Sequence, residues 1–137
     1  MLSDIECAFL MRRRIGHMAT AGHSGKPHIV PVCFAADRQN IYTPIDEKPK
    51  SGRLLRRVQN ILENSDAAFL VDYYDEDWSQ LGWLRIDGAA ELLSDGAERD
   101  HADDLLRDRY KQYQSMDLSA IIAIRILHVR RWGSLAS

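Results

Sequence analysis

Cysteine is scarce in this chain of 137 residues: only Cys7 and Cys33 occur. They form no CxxC, and no second Cys/His pair has zinc-finger spacing. Both lie in apolar stretches, so they read as buried free thiols, and that usage fits a reducing cytoplasm. No apolar run approaches the ~20 residues of a transmembrane helix. The beginning, MLSDIE, is acidic and carries no signal-peptide h-region. Net charge is also nearly absent, at -2 from 18 basic and 20 acidic side chains, which argues against a polybasic nucleic-acid binder. There is no internal repeat and no low-complexity linker. His17, His23, His28, His101 and His128 lack ligand spacing, so no metal site is expected. Gly22, Gly25, Gly82 and Gly88 form neither GxGxxG nor a P-loop. No Ser/His/Asp order stands out.

What is present is globular: 45% hydrophobic and 28% charged residues, enough at this length for one domain with a core that needs no staple. Ser3-Asp4-Ile5-Glu6 reads as a capping box opening a helix over 4–14, with Arg12 to Arg14 at its C-terminal end and Gly16 stopping it. Strands follow over 15–21 and 27–36, joined by the two-glycine turn at 22–25. Pro31 cannot donate to a ladder and marks an edge or a bulge. A polar turn at 37–40 leads to a strand over 41–45.

A loop at 46–50 precedes a helix over 51–63, with Leu54, Leu55, Val58, Ile61 and Leu62 on one face and Arg53, Arg56, Arg57 and Asn60 mostly elsewhere. Asn64 can close that helix in the left-handed region. The run 67–74 is apolar enough for a strand with near-complete burial. An acidic loop at 75–80 holds Trp78. Residues 82–92 alternate, with Leu84, Ile86, Gly88, Ala90 and Leu92 on one side and Trp83, Arg85, Asp87, Ala89 and Glu91 on the other. Ser94 is placed to cap a helix over 95–113, and 121–132 makes the last strand. About six strands joined largely by short turns favour an antiparallel, closed or partly closed barrel with peripheral helices.

Charge is unevenly placed. Lys48, Lys50, Arg53, Arg56 and Arg57 put five cations into ten residues, whereas Glu91 to Asp108 holds seven acids against Arg99 and Arg107. A basic loop that enters a helix N-terminus suits a phosphate. Spacing alone favours a solvated basic face instead, because KPKxxR is unspecific. His28, Val30 and Val32 share a strand face, and Tyr42-Thr43 ends the next strand. Thr43 suits either a hydrogen bond to phosphate or ring carbonyl, or plain β-propensity. Trp78, Trp83 and Trp132 suit core, interface or the wall of an aromatic cofactor site.

Several pieces, in order and spacing, carry a resemblance: Asp46-Glu47-Lys48-Pro49-Lys50, Leu55-Arg56-Arg57-x-x-Asn60-Ile61, Leu70-Val71-Asp72-Tyr73-Tyr74, Asp77-Trp78-Ser79, the WxRxDG run Trp83 to Gly88, and Arg131-Trp132-Gly133. Together they make the chain similar to the pyridoxamine 5'-phosphate oxidase-like split β-barrel flavoproteins, in particular to the subgroup described as probable coenzyme F-420 (deazaflavin)-dependent. The resemblance implies a mainly β (α+β) fold: a six-stranded antiparallel split β-barrel. It also implies a homodimer with a cofactor cleft between subunits, and FMN or coenzyme F-420 as cofactor.

On that basis, Lys50 matches the phosphate-binding lysine, with Lys48, Ser51 and Arg53 as neighbours. His28, Ile29, Val30, Pro31 and Val32 would address the ring edge through their backbone. Tyr42 and Thr43 would help hold the phosphate, and Trp78 and Trp83 would shape the pocket. Arg85 would face either a carboxylate of substrate or cofactor, or Asp72 or Asp87. Two departures, His28 and Cys33 where the oxidase has basic residues, and a missing C-terminal arginine motif, argue against oxidation of pyridoxamine phosphate itself. The expected activity is hydride transfer to or from a small organic substrate, without nucleic acid or membrane partners. The alternative is a non-enzymatic binder of a flavin-like or tetrapyrrole ligand.

Overall fold

The computed structural model describes residues 1–46 and 54–137. Along the chain run α1 (Asp4–Met11), β1 (Gly16–Ala21), β2 (Pro27–Val32), β3 (Ala35–Ala36), β4 (Asn40–Ile45), α2 (Arg56–Glu63), β5 (Asp66–Tyr73), β6 (Gly82–Leu93), α3 (Ala97–Arg109) and β7 (Ala120–Gly133). Short 3-10 turns occupy Trp78–Gln80 and Lys111–Ser115. All pairings among the described strands are antiparallel, and the order across the sheet is β2-β1-β5-β6-β7-β4-β3.

That order makes β2 and β3 the two edges, yet only Cys33 and Phe34 separate them in the chain. An extended residue spans at most ~3.6 Å, so the sheet must curl until its edges meet. The expected strand over 27–36 therefore breaks in two, and the sheet has seven strands where six were expected. The break has a physical cause. The Phe34 N–H donates to Tyr110 Oη at 3.0 Å and the Phe34 carbonyl accepts from Arg109 Nε at 2.8 Å, so neither group is left for a ladder.

The curled sheet encloses one core. Met18, Phe34, Ile41, Phe69, Leu84, Ile86, Ile122 and Ile124 fill it, and Phe9 and Leu10 of α1 join from one end. A second core lies beneath α3, where Ala102, Leu106, Tyr110 and Tyr113 cover Ala35, Tyr42, Ile121 and Ala123. Thus β4 and the first half of β7 are buried on both faces. The other strands keep an outer face that is open or half-open. This corrects the reading of 67–74: β5 alternates, with Ala67, Phe69 and Val71 inside and Ala68, Leu70 and Asp72 outside. The alternation of β6 is as expected.

Helix boundaries show where distant contacts override local signals. The Ser3–Glu6 capping box forms, with Ser3 N–H to Glu6 Oε1 at 2.9 Å and Glu6 N–H to Ser3 Oγ at 3.2 Å. However, α1 ends at Met11 rather than 14, because the Arg109 guanidinium takes the carbonyls of Leu10, Met11 and Arg13. Gly16 is not its stop. A Cβ there would stand 2.1 Å from Cζ of the buried Phe69, so glycine lets the ring pass.

The expected start of α2 at Ser51 lies outside the described residues. Leu54 and Leu55 are non-helical, and the buried residues of α2 are Arg57, Val58, Asn60 and Ile61. Leu54 and Leu62 face solvent instead. Asn64 is extended, at φ -149, since its side chain accepts from the Asp66 N–H at 3.1 Å. The helix expected over 95–113 is α3 plus a 3-10 turn. Its N-cap is Gly96 at φ 96, not Ser94, and Tyr110 leaves helical geometry where its hydroxyl reaches the strand joint. No helix among the described residues is long and apolar enough to cross a membrane.

Candidate functional site: a cationic cleft and an open sheet face

The tip of the β1–β2 hairpin leans on α2. The His23 N–H donates to Glu63 Oε1 at 2.9 Å, and Asn60 Nδ2 donates to Thr20 Oγ1 at 3.1 Å in a buried contact. A Cβ on Gly22 would lie 2.5 Å from Glu63 Oε1, so that position needs glycine for the close approach. Between the two elements a cleft of about 300 Å³ opens, lined by Ser24, Lys26, Pro27, His28, Arg56 and Asn60. His28 is half-buried, and its Nδ1 is shielded from solvent with no hydrogen-bond partner among the described residues. A cleft lined by an imidazole, an ammonium and a guanidinium suits an oxyanion such as a phosphate monoester.

Other expected site residues sit elsewhere. Along β2, Val30 and Val32 point inward with His28, while Ile29 (65% exposed) and Pro31 point outward. Among the described residues β2 is an edge strand that pairs only with β1, which leaves its other backbone edge without a ladder partner there. Tyr42 is buried, and its hydroxyl donates to Glu98 Oε2 at 2.8 Å and lies 3.3 Å from Asp37 Oδ2. Burial, then the bond to Glu98, pushes the phenol above its ordinary pKa. Thr43 is fully buried on β4, and its Oγ1 has no partner among the described residues. Lys48, Lys50, Ser51 and Arg53 lie outside the described residues. Asp46, just before them, accepts from Tyr113 Oη at 2.6 Å.

The outer sheet face carries two of the tryptophans, Trp83 and Trp132. Trp83 is half-buried, and its Cα partners are Asp72 on β5 and Trp132 on β7. Trp132 is 53% exposed, and Trp78, in its 3-10 turn, is 72% exposed. Arg85 pairs with Asp87 (Nε to Oδ1, 3.7 Å) and not with Asp72. Its guanidinium carbon lies 6.0 Å from the centroid of the Trp83 ring.

Structure brings His28 together with Lys26, Ser24, Arg56 and Asn60, of which only Arg56 belonged to the basic run read from the sequence. The missed signal is period two: Lys26 and His28 fall on one side of the same extended segment, directly after a glycine turn.

A family model described as "Pyridoxamine 5'-phosphate oxidase" matches residues 6–133. A 5a,11a-dehydrotetracycline/5a,11a-dehydrooxytetracycline reductase of Streptomyces rimosus subsp. rimosus is 33% identical over 106 residues, covering 74% of this chain and 73% of that protein. Among solved structures, a conserved hypothetical protein of Mycobacterium tuberculosis superposes with a TM-score of 0.77 at 20% identity, over 97% of this chain and 86% of that one. A heme binding protein of Mycobacterium smegmatis gives 0.74 at 18% identity, over all of this chain (100%) and 57% of that one. At these identities the two structures establish the split-barrel fold, and the matched family model establishes more: the chain belongs to the pyridoxamine 5'-phosphate oxidase family.

Proposed function

We propose that this protein is an oxidoreductase that uses FMN or coenzyme F-420 on a small organic substrate. The observation that carries the reading is the cleft at His28. Lys26, Arg56 and His28 line there a space suited to a cofactor phosphate. Lys48, Lys50, Ser51 and Arg53 precede Arg56 in the chain and are assigned to the same anion. Membership of the family and the reductase relative support oxidoreduction. When bound, the flavin or deazaflavin ring supplies hydride transfer. This chain's residues bind and orient: cations hold phosphate, the open backbone edge of β2 offers amides and carbonyls to the ring edge, and Trp83 with Trp78 limits water. The proposed assembly is a homodimer whose cofactor cleft lies between subunits. The two free thiols, Cys7 and Cys33, support a reducing, cytoplasmic setting.

The test is absorbance and mass spectrometry of whatever copurifies with the protein, followed by titration of ligand-free protein with FMN and with F-420. Binding of one of them, weakened about tenfold by Arg56→Ala or Lys26→Ala, is the expected result. Lys50→Ala should cost about 1.5–3 kcal/mol of affinity, the range for a charge-assisted contact. Unchanged affinity in all three folded variants overturns the assignment.

A second reading is a non-enzymatic tetrapyrrole or flavin-like binder. It is favoured by His17 and His128 on the outer sheet face and by the likeness to a heme binding protein. Haem bound in preference to FMN and F-420, with no turnover of bound cofactor in a broad substrate screen, would select it.

A further inference from the structure

Between β6 and β7 the register sets Arg85 directly opposite Arg130, and Trp83 directly opposite Trp132. Directly opposed residues of an antiparallel pair share a face, and a step of two residues keeps that face. Two guanidinium groups and two indoles therefore form adjacent rows on the outside of the sheet. Like charges placed opposite each other destabilise a ladder. Little in the chain offsets this. Arg85 has one ion pair, with Asp87 on its own strand, and its shielded Nε lacks a hydrogen bond. Arg130 has neither an ion pair nor a hydrogen bond among the described residues. The other ionisable groups on this face of the sheet include Asp72, opposite Trp83, His128, opposite Asp87, and His17, in the same cross-strand row as Arg85 beyond Leu70. Arg130 and Trp132 are both exposed, Trp132 by more than half.

We propose that Arg85 and Arg130 hold the charged end, and Trp83 and Trp132 the flat body, of a small planar organic anion such as an aromatic or enolic carboxylate. The inference rests on the oxidoreductase reading and supplies its substrate class. A guanidinium presents a planar fork of donors that matches a carboxylate, and an indole offers a face on which a flat ring stacks. An anion between the two arginines removes the repulsion that the bare ladder carries.

The experiment is calorimetric titration of the full chain with 2-naphthoate and with the uncharged 2-naphthylmethanol. Sedimentation and FMN and F-420 titrations are run on the same samples. Naphthoate should bind at least tenfold more tightly than the alcohol. Arg130→Ala should weaken naphthoate at least tenfold, and Trp132→Ala should weaken both probes. Arg130→Glu should abolish naphthoate binding while raising the melting temperature, because it places an acid opposite Arg85. Equal affinity for the two probes, or naphthoate affinity within twofold of the parent in Arg130→Ala, overturns the proposal. Loss of naphthoate only in step with a changed oligomeric state also overturns it and makes Arg130 an interface residue. Naphthoate binding with these variant effects, in a protein that takes neither FMN nor F-420, would uphold the arginine site and discard the oxidoreductase reading.

Discussion

Thr43 and Glu98 show how differently two polar side chains fare under the same sheet. The Thr43 hydroxyl is fully buried and has no partner among the described residues, a state that costs about 1–3 kcal/mol. Thr43→Val keeps the shape and removes the orphan. Denaturant unfolding of the ligand-free protein should therefore show a gain of about 1 kcal/mol. Unchanged FMN or F-420 affinity in that variant would take Thr43 out of the cofactor contacts. Glu98 is the opposite case. Arg125 bonds its carboxylate, one contact being Nη2 to Oε1 at 2.8 Å, and Tyr42 adds another. The bond to Arg125 is the main reason that its carboxyl titrates below the ordinary value near 4.5. A lowered folded pKa means stability that is fully present above that ordinary value and lost as pH falls through the folded one. Stability measured from pH 6 down to pH 3 should thus fall less steeply in Glu98→Gln than in the parent.

At the level of elements, the joint between β2 and β3 matters most. Tyr110 is buried, accepts from the Phe34 N–H, and donates to the Arg14 carbonyl at 2.7 Å. Tyr110→Phe leaves both groups without that partner and should lower stability by about 1–3 kcal/mol in urea titration. Gly16→Ala should cost a comparable amount. The added methyl meets the Phe69 ring, which already packs edge-on against Phe34 at 4.9 Å and has nowhere to retreat. These elements also show what was legible in advance. The Ser3–Glu6 box and the alternation of β6 are local patterns, and both formed as read. The break at Cys33–Phe34 was not legible because its cause, Arg109 and Tyr110, lies 75 and 76 residues away. The cleft was half legible: His28 and the basic run stood out, but the meeting of Lys26 with Arg56 depends on Glu63 reaching the tip of a distant hairpin.

For the whole molecule, one asymmetry organises everything else. Helix α3 covers β4 and half of β7, while the outer face of β5 and β6 keeps exposed or half-exposed arginine, aspartate and tryptophan. With a net charge of only -2, two copies approach with little mutual repulsion. The proposed homodimer should sediment at twice the chain mass, and its melting temperature should rise with protein concentration. A concentration-independent melt at the monomer mass would remove the inter-subunit cleft.

The joint at Cys33–Phe34 also has a consequence for biosynthesis. Strands β1 to β4 leave the ribosome early, but the groups that grip their junction belong to residues 109 and 110. The last long strand, β7, comes later still and supplies the neighbour on which β4 zips. A nascent chain cut short before α3 therefore holds two sheet edges that nothing fastens together, and open edges invite pairing with other chains. Closure of the barrel therefore awaits the synthesis of α3 and β7, and a chain arrested near residue 95 should be protease-sensitive where one that extends through residue 137 is not.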